Sequence, residues 1–434
     1  MNGMLRRLVI IGLVVISSLS ASSQRYLSDL DSSLFIKDTL KPFLKRFDNI
    51  RMSGYIQSQF QMAQREGIKS YSGGDFSQFS KSRFMLRRAR VKIDYFLTTK
   101  DKFPKALFTF QFDATERGVN VRDMFLRFYE TKHHNFALTT GLFARPFGYE
   151  VNLSSGFRES PERGRMSQIL LPVERDLGAM VSFEPQNKKS RLHWLKVDAG
   201  IFNGPGLTGT TDFDSRKDFI SRAIIKPVQI NKLEISGGLS FLLGGWRQAT
   251  KYVYKDGTTA AGDKVFVVDS SLSNIGKIAQ RSYYGSDIQL KLNHDWGATE
   301  LRGEYWMGQQ PGIATTTTSP GTLPNSPVYF RDFNGAFFYF LQDIINDKNQ
   351  LVLKYDWYDP NTKIHGNDIG KPGTNLSSTD IKYTTIGIGF NHYFSDNVKL
   401  VLYYDIVKNE KTQLTGYTSD IKDNTFTSRI QFRF

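Results

Sequence analysis

From Ile50 to the final residue, apolar and polar side chains alternate with a period of two. The ten residues Thr425–Phe434 (TFTSRIQFRF) display the pattern most plainly. Phe426, Ser428, Ile430, Phe432 and Phe434 fall on one face of a strand, and Thr427, Arg429, Gln431 and Arg433 on the other. The same segregation places Phe108, Phe110 and Phe112 opposite Thr109, Gln111 and Asp113, and Leu351, Leu353, Tyr355 and Trp357 opposite Val352, Lys354, Asp356 and Tyr358. Strands are predicted near 50–62, 83–97, 105–113, 121–129, 136–144, 176–184, 194–202, 217–226, 233–243, 281–292, 298–307, 334–342, 350–358, 382–393, 398–407 and 425–434, with every proline outside them.

The connections alternate in length. Those after odd strands are long, except 114–120, whereas those after even strands are tight turns such as NHDWG at 293–297 and FSDN at 394–397. A soluble sandwich also segregates its faces toward a core. An even strand count, long loops at one rim and short turns at the other instead point to an all-β, transmembrane antiparallel β-barrel of about 16 strands. Both termini are then periplasmic, with lipid outside the wall and water inside.

The N-terminus agrees with export. Arg6 and Arg7 precede an apolar run from Leu8 to Ile16 and then small residues to Ser23, the order of a cleaved signal peptide. The run is too short to span a bilayer as a helix. Cleavage after Ser23 starts the mature chain at Gln24 and lowers the net charge from +15 to +13. Residues 24–49 are expected as a periplasmic segment with a short amphipathic pattern (Ile36, Leu40, Phe43, Leu44, Phe47), and 50–434 as the barrel. With no cysteine anywhere, neither a lipoprotein anchor nor a disulfide framework is available.

Six stretches carry a family resemblance: FMLRRARVKID (84–94), LFARPFG (142–148), ERDLG (174–178), GIFNG (200–204), GEYWMGQQ (303–310) and KYDWYDPN (354–361). In their order and spacing they resemble the phosphate-selective porin O and P family of Gram-negative outer membranes. The resemblance implies a sixteen-stranded barrel, usually a homotrimer, that passes small anions. Phe432 and Phe434 likewise resemble the C-terminal signal read by the barrel assembly machinery.

Basic charge spread along an exported chain suits an anion path or an anionic lipid surface, and not nucleic acid. Arg88, Arg90 and Lys92 share a face with Asp94. Arg127 accompanies Asp123, Arg51 lies on the first strand, and Arg429 and Arg433 lie on the last. Because the last strand closes on the first, one sector of the lumen is expected to be basic, with arginine offering a planar, permanently charged fork to anions. The alternative is that these groups pair with Asp94, Asp113 and Asp123 and brace the wall. Arg83 and Arg87 are placed on the lipid-facing phase, either against lipopolysaccharide phosphates or as solvated rim charges.

The loop 145–175 is too long to be an unstructured connection and is expected to fold inward and narrow the pore. It carries Arg145, Arg158, Arg163, Arg165 and Arg175 against Glu150, Glu159, Glu162 and Glu174. Nothing marks a catalytic, metal or cofactor site: the six histidines sit beside turns and loops, and no HExxH or GxSxG motif occurs. The sequence therefore predicts a passive, anion-preferring outer-membrane porin for phosphate or other small anions. The other readings are a non-selective or oligosaccharide/carboxylate channel and a surface receptor or adhesin.

Overall fold

Strands can lie in a bilayer only if every backbone group finds a ladder partner, and closing the sheet on itself achieves this by removing both edges. The computed structural model describes residues 49–100, 103–209 and 211–434 and is such a closed barrel. The expected leader at 1–23 and the segment 24–48 lie outside the described residues. In chain order the strands are β1 (Ile50–Ala63), β2 (Ser82–Thr98), β3 (Pro104–Thr115), β4 (Gly118–Tyr129), β5 (Phe136–Ala144), β6 (Arg175–Phe183), β7 (Leu195–Phe202), β8 (Asp218–Ile230), β9 (Leu233–Arg247), β10 (Val253–Thr258), β11 (Lys264–Asp269), β12 (Ile278–His294), β13 (Gly297–Gly312), β14 (Val328–Ile344), β15 (Asn346–Asp359), β16 (Tyr383–Tyr393), β17 (Val398–Asn409) and β18 (Thr425–Arg433). Sixteen of them form the wall, each antiparallel to its neighbours. β10 and β11 form a hairpin within the loop after β9, and β10 adds a short parallel pairing to β14 at Val253–Val328.

The seam joins β1 to β18, from Tyr55 opposite Arg433 to Ala63 opposite Thr425, and β1 also pairs with β2. Gly54 exchanges two backbone hydrogen bonds with Phe434, each 3.0 Å. A Cβ at residue 54 would lie 2.3 Å from the Arg90 carbonyl oxygen and 2.5 Å from the Phe434 ring. Gly54→Val is therefore expected to hinder closure. The check is the fraction of heat-modifiable, folded protein on unboiled gels, which should fall well below that of the parent.

The expected strands are the wall strands, with the largest end differences at the long-loop rim, where β14 starts at Val328. Apolar side chains cover the outer surface, as at Leu138, Val181, Leu239, Phe338, Ile388 and Phe432. Thr109, Val352, Thr427 and Arg429, on the inward phase, are buried.

Two expectations need correction. Three prolines lie within strands, each where a missing donor costs little: Pro104 opens β3, Pro311 sits near the end of β13, and Pro227 falls at the register shift between Ile225 and Val228. Arg83 and Arg87 face inward, not toward lipid. Arg83 donates to Gln61 Oε1 at 2.9 Å, and Arg87 and the adjacent Arg88 both reach Glu162, so the two-residue alternation breaks between them. Phe84, 83% exposed, takes the outward phase beside Arg83.

Candidate channel interior

After β5 the chain turns into the barrel at Gly148, in a left-handed conformation (φ 71°) where a Cβ would lie 2.3 Å from Glu304 Oε1. Only glycine takes both constraints easily. The Glu304 carboxylate then accepts the backbone N–H groups of Tyr149 (2.8 Å) and Glu150 (2.9 Å) and the Trp306 indole N–H (2.7 Å). Farther on, the loop reaches other parts of the wall. Gln57 donates to the Ser155 carbonyl at 2.9 Å, Arg302 grips Glu159 at 2.7 and 2.9 Å, and Arg429 donates to the Pro161 carbonyl at 2.7 Å. A short helix, Arg165–Leu170, leads back to β6. Glu150 ties this helix to the start of the loop by accepting Gly164 N–H (2.9 Å) and Ser167 Oγ–H (2.7 Å).

An apolar cluster seats the loop. Phe147, Val151, Met166, Leu170 and Leu171 pack with inward-facing Phe202, Ile220, Leu242, Tyr283, Trp306 and Tyr358. Burying each such side chain is worth about 1.5–3 kcal/mol, so the loop is held by packing as well as by charge.

The arginines named from the sequence fall into separate settings. Arg88 and Arg429 converge with Arg87 on one carboxylate, Glu162, at 2.7, 3.0 and 2.7 Å. Arg90 pairs with Asp113 at 2.9 Å. Arg175 pairs with Asp123 at 3.0 Å, while Arg163 lies 3.5 Å from Glu174 and donates to the carbonyls of Ser167, Leu171 and Pro172. Arg145 is spent on the carbonyls of Gly204 and Val173, and Arg158 on Leu153 at 3.3 Å. Lys92 pairs with Asp94 at 2.8 Å and Arg127 with Glu184 at 3.5 Å. Arg165 lies against the rings of Tyr71 and Tyr383. Arg51 is exposed. Phe432 and Phe434 point outward, each 47% exposed.

Between the loop and the wall of β2–β7 an open cavity of about 340 Å³ remains. Lys92, Arg127, Arg175 and Lys196 line it with Asp123 and Asp198, and Pro146, Asn152 and Ser154 border it from the loop. Four cations thus face two carboxylates.

No family model and no curated protein sequence matches the chain. Solved structures do match. Pseudomonas putida OprB aligns over 92% of this chain and 96% of its own, with TM-score 0.55 and 8% identity. The outer membrane channel DcaP of Acinetobacter baumannii gives 0.53 at 11% identity over 89% and 97%, and Salmonella typhi OmpF gives 0.51 at 10% over 89% and 97%. The chain has the outer-membrane porin fold. At such identities the likeness is one of architecture, and the chemistry of this porin fold is read from its own residues.

Three guanidinium groups share the one carboxylate of Glu162, a local excess of positive charge. Burial by itself would raise the Glu162 and Glu174 carboxyls. The surrounding arginines outweigh it, Arg87, Arg88 and Arg429 in one case and Arg163, Arg122 and Arg175 in the other, and hold both well below the usual glutamate value. Sequence reading did not find Lys196, Arg122 or Arg302. Lys196 shares its phase with Asp198 on β7, a signal that was available. Arg122 had none: Gln111 pairs with Asp123 and Phe112 with Val121, so Arg122 is the extra residue of a bulge.

Proposed function

We propose that the protein is a water-filled outer-membrane channel for passive diffusion of small hydrophilic solutes, with a preference for phosphate or other small anions. The observation that carries this reading is the cavity beside the inward loop, with Lys92, Arg127, Arg175 and Lys196 against Asp123 and Asp198. A single charge attracts a monovalent anion at ~4 Å by about 1 kcal/mol in bulk-like water and about 4 kcal/mol at an effective dielectric near 20. A partly solvated passage therefore gives a moderate preference, not absolute exclusion of cations. Arg88, Arg90 and Arg429, and the loop residues Arg145, Arg158 and Arg163, act through the field they contribute, whereas Lys92, Arg127 and Arg175 border the solute.

The same reading takes residues 1–23 as a cleaved leader and 24–49 as periplasmic. Phe432 and Phe434 then engage the barrel assembly machinery, the long loops face lipopolysaccharide, and the assembly is a homotrimer. Its test is liposome swelling. Vesicles containing the folded protein should swell in isosmotic arabinose, and vesicles that stay impermeable contradict the channel.

A further inference from the structure

On the long-loop side of the inward helix lies a second cavity, of about 390 Å³. Of the candidate pore arginines and lysines named from the sequence, it contains Arg165 alone. Its lining combines one fixed guanidinium with a bank of neutral hydroxyls: Arg165, the run Thr315–Thr318, Ser378 and Thr379. Asp423 lines it too, and Arg65 and Lys69 complete its charge.

Arg165 differs from the other inward arginines. Arg88, Arg90, Arg163, Arg175 and Arg429 each have a carboxylate within 4 Å. Arg83, Arg145 and Arg158 lack one but donate to side-chain or backbone oxygens. Among the described residues Arg165 has neither a carboxylate within 4 Å nor such an acceptor, and its buried Nε has no hydrogen-bond partner. Its guanidinium lies 3.7 Å from the Tyr383 ring centroid and 4.4 Å from that of Tyr71. The two ring contacts orient the guanidinium, which lowers the entropy cost of binding, and its terminal Nη groups carry the N–H donors that remain for a ligand. Such donors match a carboxylate through two parallel hydrogen bonds.

The hydroxyl bank is also fixed in place. Ser377 Oγ–H and Thr379 Oγ1–H both donate to the Ala314 carbonyl, at 2.7 and 3.0 Å, anchoring the threonine run, and Gln168 holds the Tyr71 carbonyl at 2.8 Å beside the helix. Side-chain hydroxyls both donate and accept, as sugar hydroxyls do. Asp423 is the one carboxylate of the lining against Arg65, Lys69 and Arg165, so the lining stays net cationic, as an anionic ligand requires.

We propose that this cavity is a recognition site for a monoanionic sugar acid, with Arg165 holding the carboxylate and the threonine run meeting the hydroxyls. The inference rests on the channel reading, since the cavity lies at the long-loop end of the lumen.

Isothermal titration of the folded protein in detergent micelles with D-galacturonate, D-galactose and inorganic phosphate tests it. Galacturonate is expected to bind, with galactose and phosphate each weaker. Arg165→Gln should weaken galacturonate about 10- to 100-fold, the loss of a charge-assisted pair, and Arg165→Lys should fall between parent and glutamine. Heat-modifiability confirms folding of each variant, and the lysine variant carries the test if the glutamine variant does not fold. Unchanged affinity on losing the guanidinium, phosphate binding as tightly as galacturonate, or absence of galacturonate binding overturns the proposal. Loss of binding with arabinose swelling intact defeats this site alone, whereas vesicles that never swell defeat the channel reading and the role of the site in it.

Discussion

Exchanging Glu162 for glutamine should release the inward loop and cost about 3–5 kcal/mol, the usual penalty for removing one partner of a buried ion pair. The shape barely changes, but Arg87, Arg88 and Arg429, all within 3.0 Å of the carboxylate, lose their counter-charge together. Arg429 also reaches Gln59 at 2.8 Å, so the disturbance spreads to the seam between β1 and β18. Limited proteolysis within residues 145–174 should become faster and the temperature of heat-modification should drop. Unchanged values would mean that the apolar cluster around Phe147 and Trp306 and the remaining polar ties, such as Arg302 to Glu159, hold the loop without Glu162.

The same pair sets a pH dependence. The folded-state pKa of Glu162 is depressed, so its stabilisation is fully present above the ordinary glutamate value of 4.5 and is lost only as pH falls through the lowered one. The parent loop should accordingly stay protease-resistant at pH 5. The glutamine variant should be equally loose at pH 5 and pH 7, because it has no carboxyl to titrate.

The second large effect concerns selectivity. Neutralising Lys92, Arg127 and Lys196 to glutamine changes the cavity from four cations against two carboxylates to one against two. Coulomb terms of about 1–4 kcal/mol per charge at ~4 Å, with 1.4 kcal/mol equal to a factor of about ten, make the anion-to-cation permeability ratio fall at least tenfold. The reversal potential should cross to the cation side. The Lys92 and Lys196 side chains are 35% and 25% exposed while their partners Asp94 and Asp198 are 12% and 6% exposed, so heat-modifiability is measured alongside to establish that the variant folds. An unmoved reversal potential would place the selective charges elsewhere, first on the Glu162 cluster.

The wall was legible because its two environments, lipid and interior, impose alternation on every strand, and because short turns and long loops sort to opposite rims. What period counting could not see were single-residue insertions. The phase break between Arg87 and Arg88 and the bulge at Arg122 each turn a residue inward that strict alternation sends outward. Nor does alternation reveal that part of the interior is apolar. Ile220, Leu242 and Trp306 occupy the inward phase because Phe147 and Leu170 of the loop cover them, a contact between segments far apart in sequence. The hairpin β10–β11 escaped for a similar reason, since its support comes from β14 and from Thr374, whose carbonyl accepts Phe266 N–H at 2.9 Å. The basic residues were identifiable by type and phase, but which of them border open space depended on where the loop lies.

The central claim, a water-filled path whose charge favours anions, is tested most directly by the reversal potential of the unmodified protein in a planar bilayer under a potassium chloride gradient. Measured near 0.1 M salt, where the Debye length is about 10 Å, the account predicts discrete ohmic conductance steps with a reversal potential of the sign for chloride preference. A reversal potential on the potassium side would contradict it.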